Sequence, residues 1–387
     1  MYRNKIILSA ICLFLTSSIW AKPLVLTEKE LNSPPPRIIR TCCSFGSDVG
    51  VIGIPFIKIT DITSVGELGH HSYLGNPEEG NGIIYTKQGG FIDMGHLRDQ
   101  ADWTAYLFTL MIENRDIGYI NQPLGHEGGD KNLNIQIPQN LSYSDLMLLS
   151  GRIAYDLSIW HEIATWFGAS YIPMIPERYS SFSVEDAYSN LLGVTIGIEA
   201  IKSNLPYEEA MTLLIQNKLS ELGAVKTEDD TYAAMEAVRN IWWTRDKHLP
   251  SGKILLERQL NVYSRVKPMI VPTLGNDTAL AYVLNVPTNT VEGESLSDFY
   301  KLEFKLNYKF PVKKILPDEA GRTITQQNFE TLIQHVEEDC KIQEMKANPE
   351  EKALLREYRK EKRQRNRLRQ RNVTGRSIAM PLFCQVG

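Results

Sequence analysis

Asp93, His96, Arg98, Asp99 and Asp102 crowd the start of GGFIDMGHLRDQADWTAYLF (residues 89–108), a stretch that otherwise reads as a buried helix. Imidazoles and carboxylates gathered in this way can hold a divalent cation or exchange protons with a substrate. Helical residues three and four apart share a face. His96, Asp99, Trp103, Tyr106 and Leu110 then form one stripe, aromatic and apolar at its lower end. Asp102 points elsewhere and is placed to pair with Arg98, four residues back. Asp93 precedes the helix, where a carboxylate caps the first turn. His96 and Asp99 are left as the pair with chemistry to do.

A second segment, YSDLMLLSGRIAYDLSIWHEIATWF, repeats the arrangement with Tyr155, Ile159, Glu162 and Trp166 on one stripe. A carboxylate among bulky apolar residues needs a partner or a proton. His161 falls on another face, among the small residues Ala154, Ser158, Ala164 and Thr165. A third segment, SFSVEDAYSNLLGVTIGIEAI, offers Glu185, Asp186 and Asn190, and Ser183 with Asp186 resembles a capping box. Together these residues point to a metal-assisted hydrolase. His96, Asp99 and Asp186, with His161 as a further candidate, are the ligands for a divalent ion such as Zn, Fe or Mn. Glu162 is the catalytic base toward metal-activated water. His70, His71 and His126 could add ligands. HEIAT lacks the second histidine of a zincin motif. The competing reading is a non-catalytic binding or assembly protein, in which Arg98 or Arg152 neutralises Glu162 within a buried ion-pair network.

The elements that must position these residues are three long amphipathic helices. The first spans His96 to about Asn114, the second is capped by Ser142 or Ser144 and stopped by Gly168, and the third follows Ser183. Short apolar stretches between residues 51 and 93 read as strands and turns, and QPLGHEGGDKN as a loop. Leu302, Phe304, Leu306, Tyr308 and Phe310 alternate as in a half-buried strand. The expectation is a mainly α protein with a minor β component and one globular domain over residues 40–340, with no internal repeat.

The ends of the chain carry their own signals. Residues 1–21 have Arg3 and Lys5, an apolar run from Ile6 to Leu15 and small residues up to Ala21, the pattern of a secretory signal peptide. Residues 22–39 read as an extended proline-rich arm. Removal of the leader leaves Cys42, Cys43, Cys340 and Cys384, an even number compatible with disulfides in a periplasmic or secreted protein. Residues 351–371 hold ten Lys or Arg and three Glu, a local net charge of +7 in a chain of net charge −4. Such a tail, residues 341–387, reads as a solvated arm that can touch an anionic membrane surface. The near-even balance elsewhere gives no reason to expect nucleic acid, so the expected partner is a small-molecule or envelope substrate.

Four blocks in order, RTCCSFG, GGFIDMGHLRDQADWTAYL, WHEIATWFG and SFSVEDAYSNLLG, resemble a family of uncharacterised bacterial envelope proteins, domain of unknown function 4056. The resemblance runs from about Arg40 to about Cys340. It implies export in a Gram-negative-type bacterium and a single folded unit containing all four blocks. It carries no activity to transfer.

Overall fold

Side chains able to cap a helix set where the long helices begin. Asp93 accepts the backbone N–H of His96, and Ser142 and Asp145 close a reciprocal capping box. The computed structural model describes residues 24–347 apart from 41–43, 52–53, 59, 171–176, 247–253, 273, 275–280, 309 and 318–320, together with residue 360. The leader, Cys42, Cys43, Cys384 and most of the basic tail lie outside the described residues, and no disulfide occurs among those that are described.

The chain runs through α1 (Glu28–Leu31), β1 (Gly50–Val51), β2 (Ile54–Lys58), β3 (Ile83–Thr86), β4 (Gly90–Asp93) and α2 (Met94–Glu113). A hairpin of β5 (Tyr119–His126) and β6 (Gly129–Gln136) leads to α3 (Tyr143–Trp166) and α4 (Asp186–Lys202). Then come α5 (Tyr207–Glu221), α6 (Glu228–Ala237), β7 (Arg265–Val266), β8 (Leu284–Asn285) and β9 (Tyr300–Leu306). The last elements are α7 (Val312–Ile315), β10 (Thr323–Thr325) and α8 (Phe329–Ala347). The main sheet is antiparallel in the order β10–β9–β6–β5, and β1–β2, β3–β4 and β7–β8 form two-stranded pairs. The chain divides into two compact units after Pro311, with Gly321–Gln326 returning to the first and α7 and α8 in the second. No helix among the described residues is long and apolar enough to cross a membrane.

With 43% helix and 16% strand, this is a mixed α/β fold and not the mainly α protein expected from the sequence. The difference lies largely in the hairpin. QPLGHEGGDKN is not a loop but the facing ends of β5 and β6, with Gly125 and Gly128 at positive φ beside the turn. Its Pro, Gly and Asn residues have low intrinsic strand preference. Pairing decides the outcome: β6 is hydrogen-bonded on one side to β5 and on the other to β9, with Leu133 opposite Leu302. The sheet also packs on α3, where Trp160 stacks on Phe304 with ring centroids 4.1 Å apart.

The helical layer is organised by α4 lying against α2. A Cβ at Gly193 would meet the carbonyl oxygen of Leu97 at 2.0 Å, and one at Gly197 would meet the Ala101 backbone at 3.0 Å. Only glycine permits backbones to approach so closely. Gly193→Ala should therefore destabilise the protein by about 1–3 kcal/mol despite alanine's better helix propensity. Guanidinium denaturation measures this, and an unchanged or raised midpoint would show that the contact is loose.

Candidate metal centre

The apolar stripes place their polar members between α2, α3 and α4. Glu162 on α3 and Asp186 at the first position of α4 are buried, and His96 in the first turn of α2 is nearly so. One ring nitrogen of His96 and one carboxylate oxygen from each of Glu162 and Asp186 lie within 4.8 Å of one another. His96 Nε2 is 3.7 Å from Asp186 Oδ1. An ion with bonds of about 2.1 Å in tetrahedral geometry needs ligand atoms about 3.4 Å apart. Small side-chain torsions cover that difference.

Asp93 has two tasks here. Its Oδ1 accepts the His96 backbone N–H at 3.0 Å, while Oδ2 lies 3.3 Å from His96 Nδ1 without hydrogen-bond alignment. A small turn of the ring would align that hydrogen bond, and a carboxylate bonded to one ring nitrogen fixes the tautomer that leaves the other as a lone-pair donor, the usual support of a metal-binding histidine. Around the trio the carboxylates are only partly satisfied. Glu162 Oε2 accepts the Phe182 N–H at 2.6 Å and Asp186 Oδ2 the Ser183 N–H at 3.0 Å. Asp186 Oδ1, Glu185 Oε1 and Asn190 Oδ1 are buried without a hydrogen-bond partner.

The electrostatics follow. Burial pushes Glu162 up to about 7; the neighbouring Asp186 adds to the rise while His161 and His96 oppose it. Burial likewise raises Asp186 to about 6, against His96 and with the help of Asp93. Glu185 is held well above the ordinary carboxylate range by burial and then by Asp186. The N-terminal ends of α2 and α4 lie at this acidic region, and their helix dipoles offset part of its charge.

The structure gathers His96, Glu162 and Asp186 but separates Asp99 and His161 from them. Asp99 Oδ2 accepts the backbone N–H groups of Ile39 and Arg40, at 3.0 and 3.3 Å, and its Oδ1 accepts Arg40 Nη1 at 3.1 Å. His161 Nδ1 lies 2.7 Å from Glu127 Oε1, on a carboxylate that also pairs with Arg37 and Lys131. The proposed neutralising arginines also go elsewhere. Arg152 pairs with Asp156, and Arg98 binds the carbonyl oxygens of Glu79 and Gly69. Asp102 is taken by Arg40, His71 and Tyr207 rather than by Arg98. Of the loop histidines, His71 belongs to that network and His126 pairs with Asp130 at the surface. The capping box before α4 forms only in part. Asp186 bonds back to the Ser183 N–H, but the Ser183 hydroxyl turns to Glu185 at 2.5 Å.

Sequence reasoning overlooked Arg37, Glu127 and Lys131, which line a cavity together with His96, Asp99 and His161. Glu127 lies in the stretch read as a loop, and Arg37 follows three prolines in the presumed arm, so no periodicity marked either of them.

Fold and site define a mixed α/β domain with a buried His–Glu–Asp donor cluster between three helices. The chain belongs to the family described as protein of unknown function (DUF4056), whose pattern matches residues 30–272. That span contains Asp93, His96, Glu162 and Asp186, but it ends before β9 and Cys340, short of the reach expected from the sequence blocks. No curated protein and no solved structure matches the chain.

The raised carboxyls set a pH dependence for metal-free protein. Glu162 keeps its proton to about pH 7 when folded, against about 4.3 in an unfolded chain. The folded state thus binds the extra proton, and its advantage is complete below the unfolded value and lost as pH rises through the folded one. Denaturation of chelator-treated protein should show stability falling between about pH 5 and pH 8, and Glu162→Gln should flatten the fall. Stability that rises across this window would mean that a protein cation neutralises Glu162.

Proposed function

We propose that this is an exported, metal-assisted hydrolase whose divalent ion is held by His96, Glu162 and Asp186. The observation that carries the reading is the convergence of these three donor atoms within 4.8 Å in a buried setting. No lysine or arginine forms an ion pair with either carboxylate among the described residues. A mixed nitrogen and oxygen donor set suits Zn, Fe or Mn. An ion there would supply a Lewis acid and lower the pKa of a water it binds. Asp93 would orient His96, and the Phe182 N–H would fix one oxygen of Glu162 so that the other faces the ion. Glu162, read from sequence as the base, thereby joins the donor set, and Asp99 and His161 leave it. Export is supported by the leader-like residues 1–21. A purely structural ion-pair network accounts for Asp99 and His161, but it gives Glu162 and Asp186 no ion pair with lysine or arginine among the described residues.

Elemental analysis of mature protein purified without a histidine tag tests the proposal. About one equivalent of transition metal per chain is expected, and His96→Ala, Asp186→Asn and Glu162→Gln should each lose it. Chelation should lower the melting temperature of the wild type and leave that of Glu162→Gln unchanged. Metal-free protein that takes up no Zn, Fe or Mn and ignores chelation would sink the reading.

A further inference from the structure

The cavity that His96 lines is walled on its other sides by groups with unequal hydrogen-bonding capacity. Its two carboxylates, Glu127 and Asp99, are fully used. Glu127 Oε1 takes Arg37 and His161, its Oε2 takes Lys131 at 2.8 Å, and both oxygens of Asp99 are occupied by residues 39 and 40. The donors are not used up. A guanidinium carries five N–H groups. Arg37 Nε lies 2.7 Å from Glu127 Oε1 and 3.1 Å from His161 Nδ1, Nη2 goes to Glu177 at 2.8 Å, and Nη1 has no protein acceptor among the described residues. Lys131 has three N–H groups and gives one to Glu127. Gln100 and Asn190 are also in the wall, and Gln100 Oε1 and Asn190 Oδ1 have no protein hydrogen-bond partner. By a half turn each can present an NH2 instead of an oxygen.

Space is distributed in a way that fits this surplus. The inner cavity is small, about 30 Å³, and Arg37 and Glu127 also line a wider groove of about 390 Å³ beside Gly128, Gly168 and Tyr308. Arg37 thus stands at the neck between groove and cavity.

We propose that the inner cavity binds an oxyanion group of the substrate, a carboxylate or phosphoryl group, on Arg37 Nη1 and Lys131 Nζ beside the His96 site. The rest of the molecule lies in the groove. This rests on the hydrolase reading for its catalytic meaning, but anion binding itself requires only the donor surplus. A guanidinium edge matches two oxygens of a planar or tetrahedral anion at once. The substrate is therefore an acidic molecule with its charged group close to the bond that is acted on.

The test is titration of full mature protein with acetate, inorganic phosphate and neutral acetamide at constant ionic strength, followed by calorimetry and by the fluorescence of Trp103 in the cavity wall. Acetate or phosphate should bind at least tenfold more tightly than acetamide. Preference for one of the two anions tells a carboxylate substrate from a phosphoryl one. Arg37→Gln should weaken anion binding at least tenfold while metal content stays at the wild-type level, and Arg37→Lys should retain part of the affinity. Should Arg37→Gln unfold, Arg37→Lys alone decides, with melting temperature as the folding control. His96→Ala should lose metal yet keep Arg37-dependent anion binding, so a failed metal site and a failed anion site give different results. Equal affinity for acetamide, or anion binding indifferent to both Arg37 substitutions, overturns the proposal.

Discussion

Helix α4 touches α2 through glycine, backbone against backbone, at Gly193 and Gly197. The rest of the site depends on that contact. Asp186 and His96 have short side chains, and they meet only because their helices leave no side-chain layer between them. A wider crossing, with ordinary residues at the contact, would leave the carboxylate and the imidazole facing a gap. The same approach brings the first turns of both helices together. The positive ends of two helix dipoles then lie beside the acidic cluster, which favours negative charge where burial opposes it.

Two other networks confine this cluster by drawing charges away from it. Arg40 binds Glu79, Asp99 and Asp102 at once, fastening the N-terminal segment and the loop around Glu79 to α2. Glu127 gathers Arg37, Lys131 and His161. Burial raises its pKa, but these three cationic or hydrogen-bonding neighbours outweigh burial and hold the carboxyl well below its usual range. Both networks are balanced, acid against base, as buried charges must be. His96, Glu162 and Asp186 are the exception. Burial raises their carboxyls against the opposing charges of His96 and His161 at Glu162 and of His96 and Arg258 at Asp186. Burial also raises Asp99 to about 6, but Asp99 is held directly by Arg40, whereas neither Glu162 nor Asp186 forms an ion pair with lysine or arginine among the described residues. The contrast between networks in which arginine or lysine grips the carboxylates and one cluster without such an ion pair separates scaffold from candidate chemistry.

The cavity joins the two kinds of site. Its floor includes His96, and its walls belong to the balanced networks, where each carboxylate oxygen is taken and several N–H groups are left over. A ligand that fits must bring acceptors, whereas the His96, Glu162 and Asp186 cluster beside it offers acceptors of its own.

Periodicity and capping chemistry determined the three long helices, the cap at Asp93 and the burial of Glu162, though not the exposed faces, since α2, α3 and α4 are buried on nearly every side and Asp102 is buried beside Arg40 and His71. These properties are local: a 3.6-residue repeat and a capping side chain act within a few residues, so the chain declares them without its fold. The hairpin at residues 119–136 was not legible, because its strands owe their stability to β9, more than 160 residues away in the chain, and to the face of α3. Nor was the division of labour among the polar residues. Asp99 and Glu162 carry the same functional group on similar stripes, yet one meets Arg40 and the other meets Asp186. Partner choice is a long-range property, decided by which segments pack together, and in this protein the tertiary structure alone makes that choice.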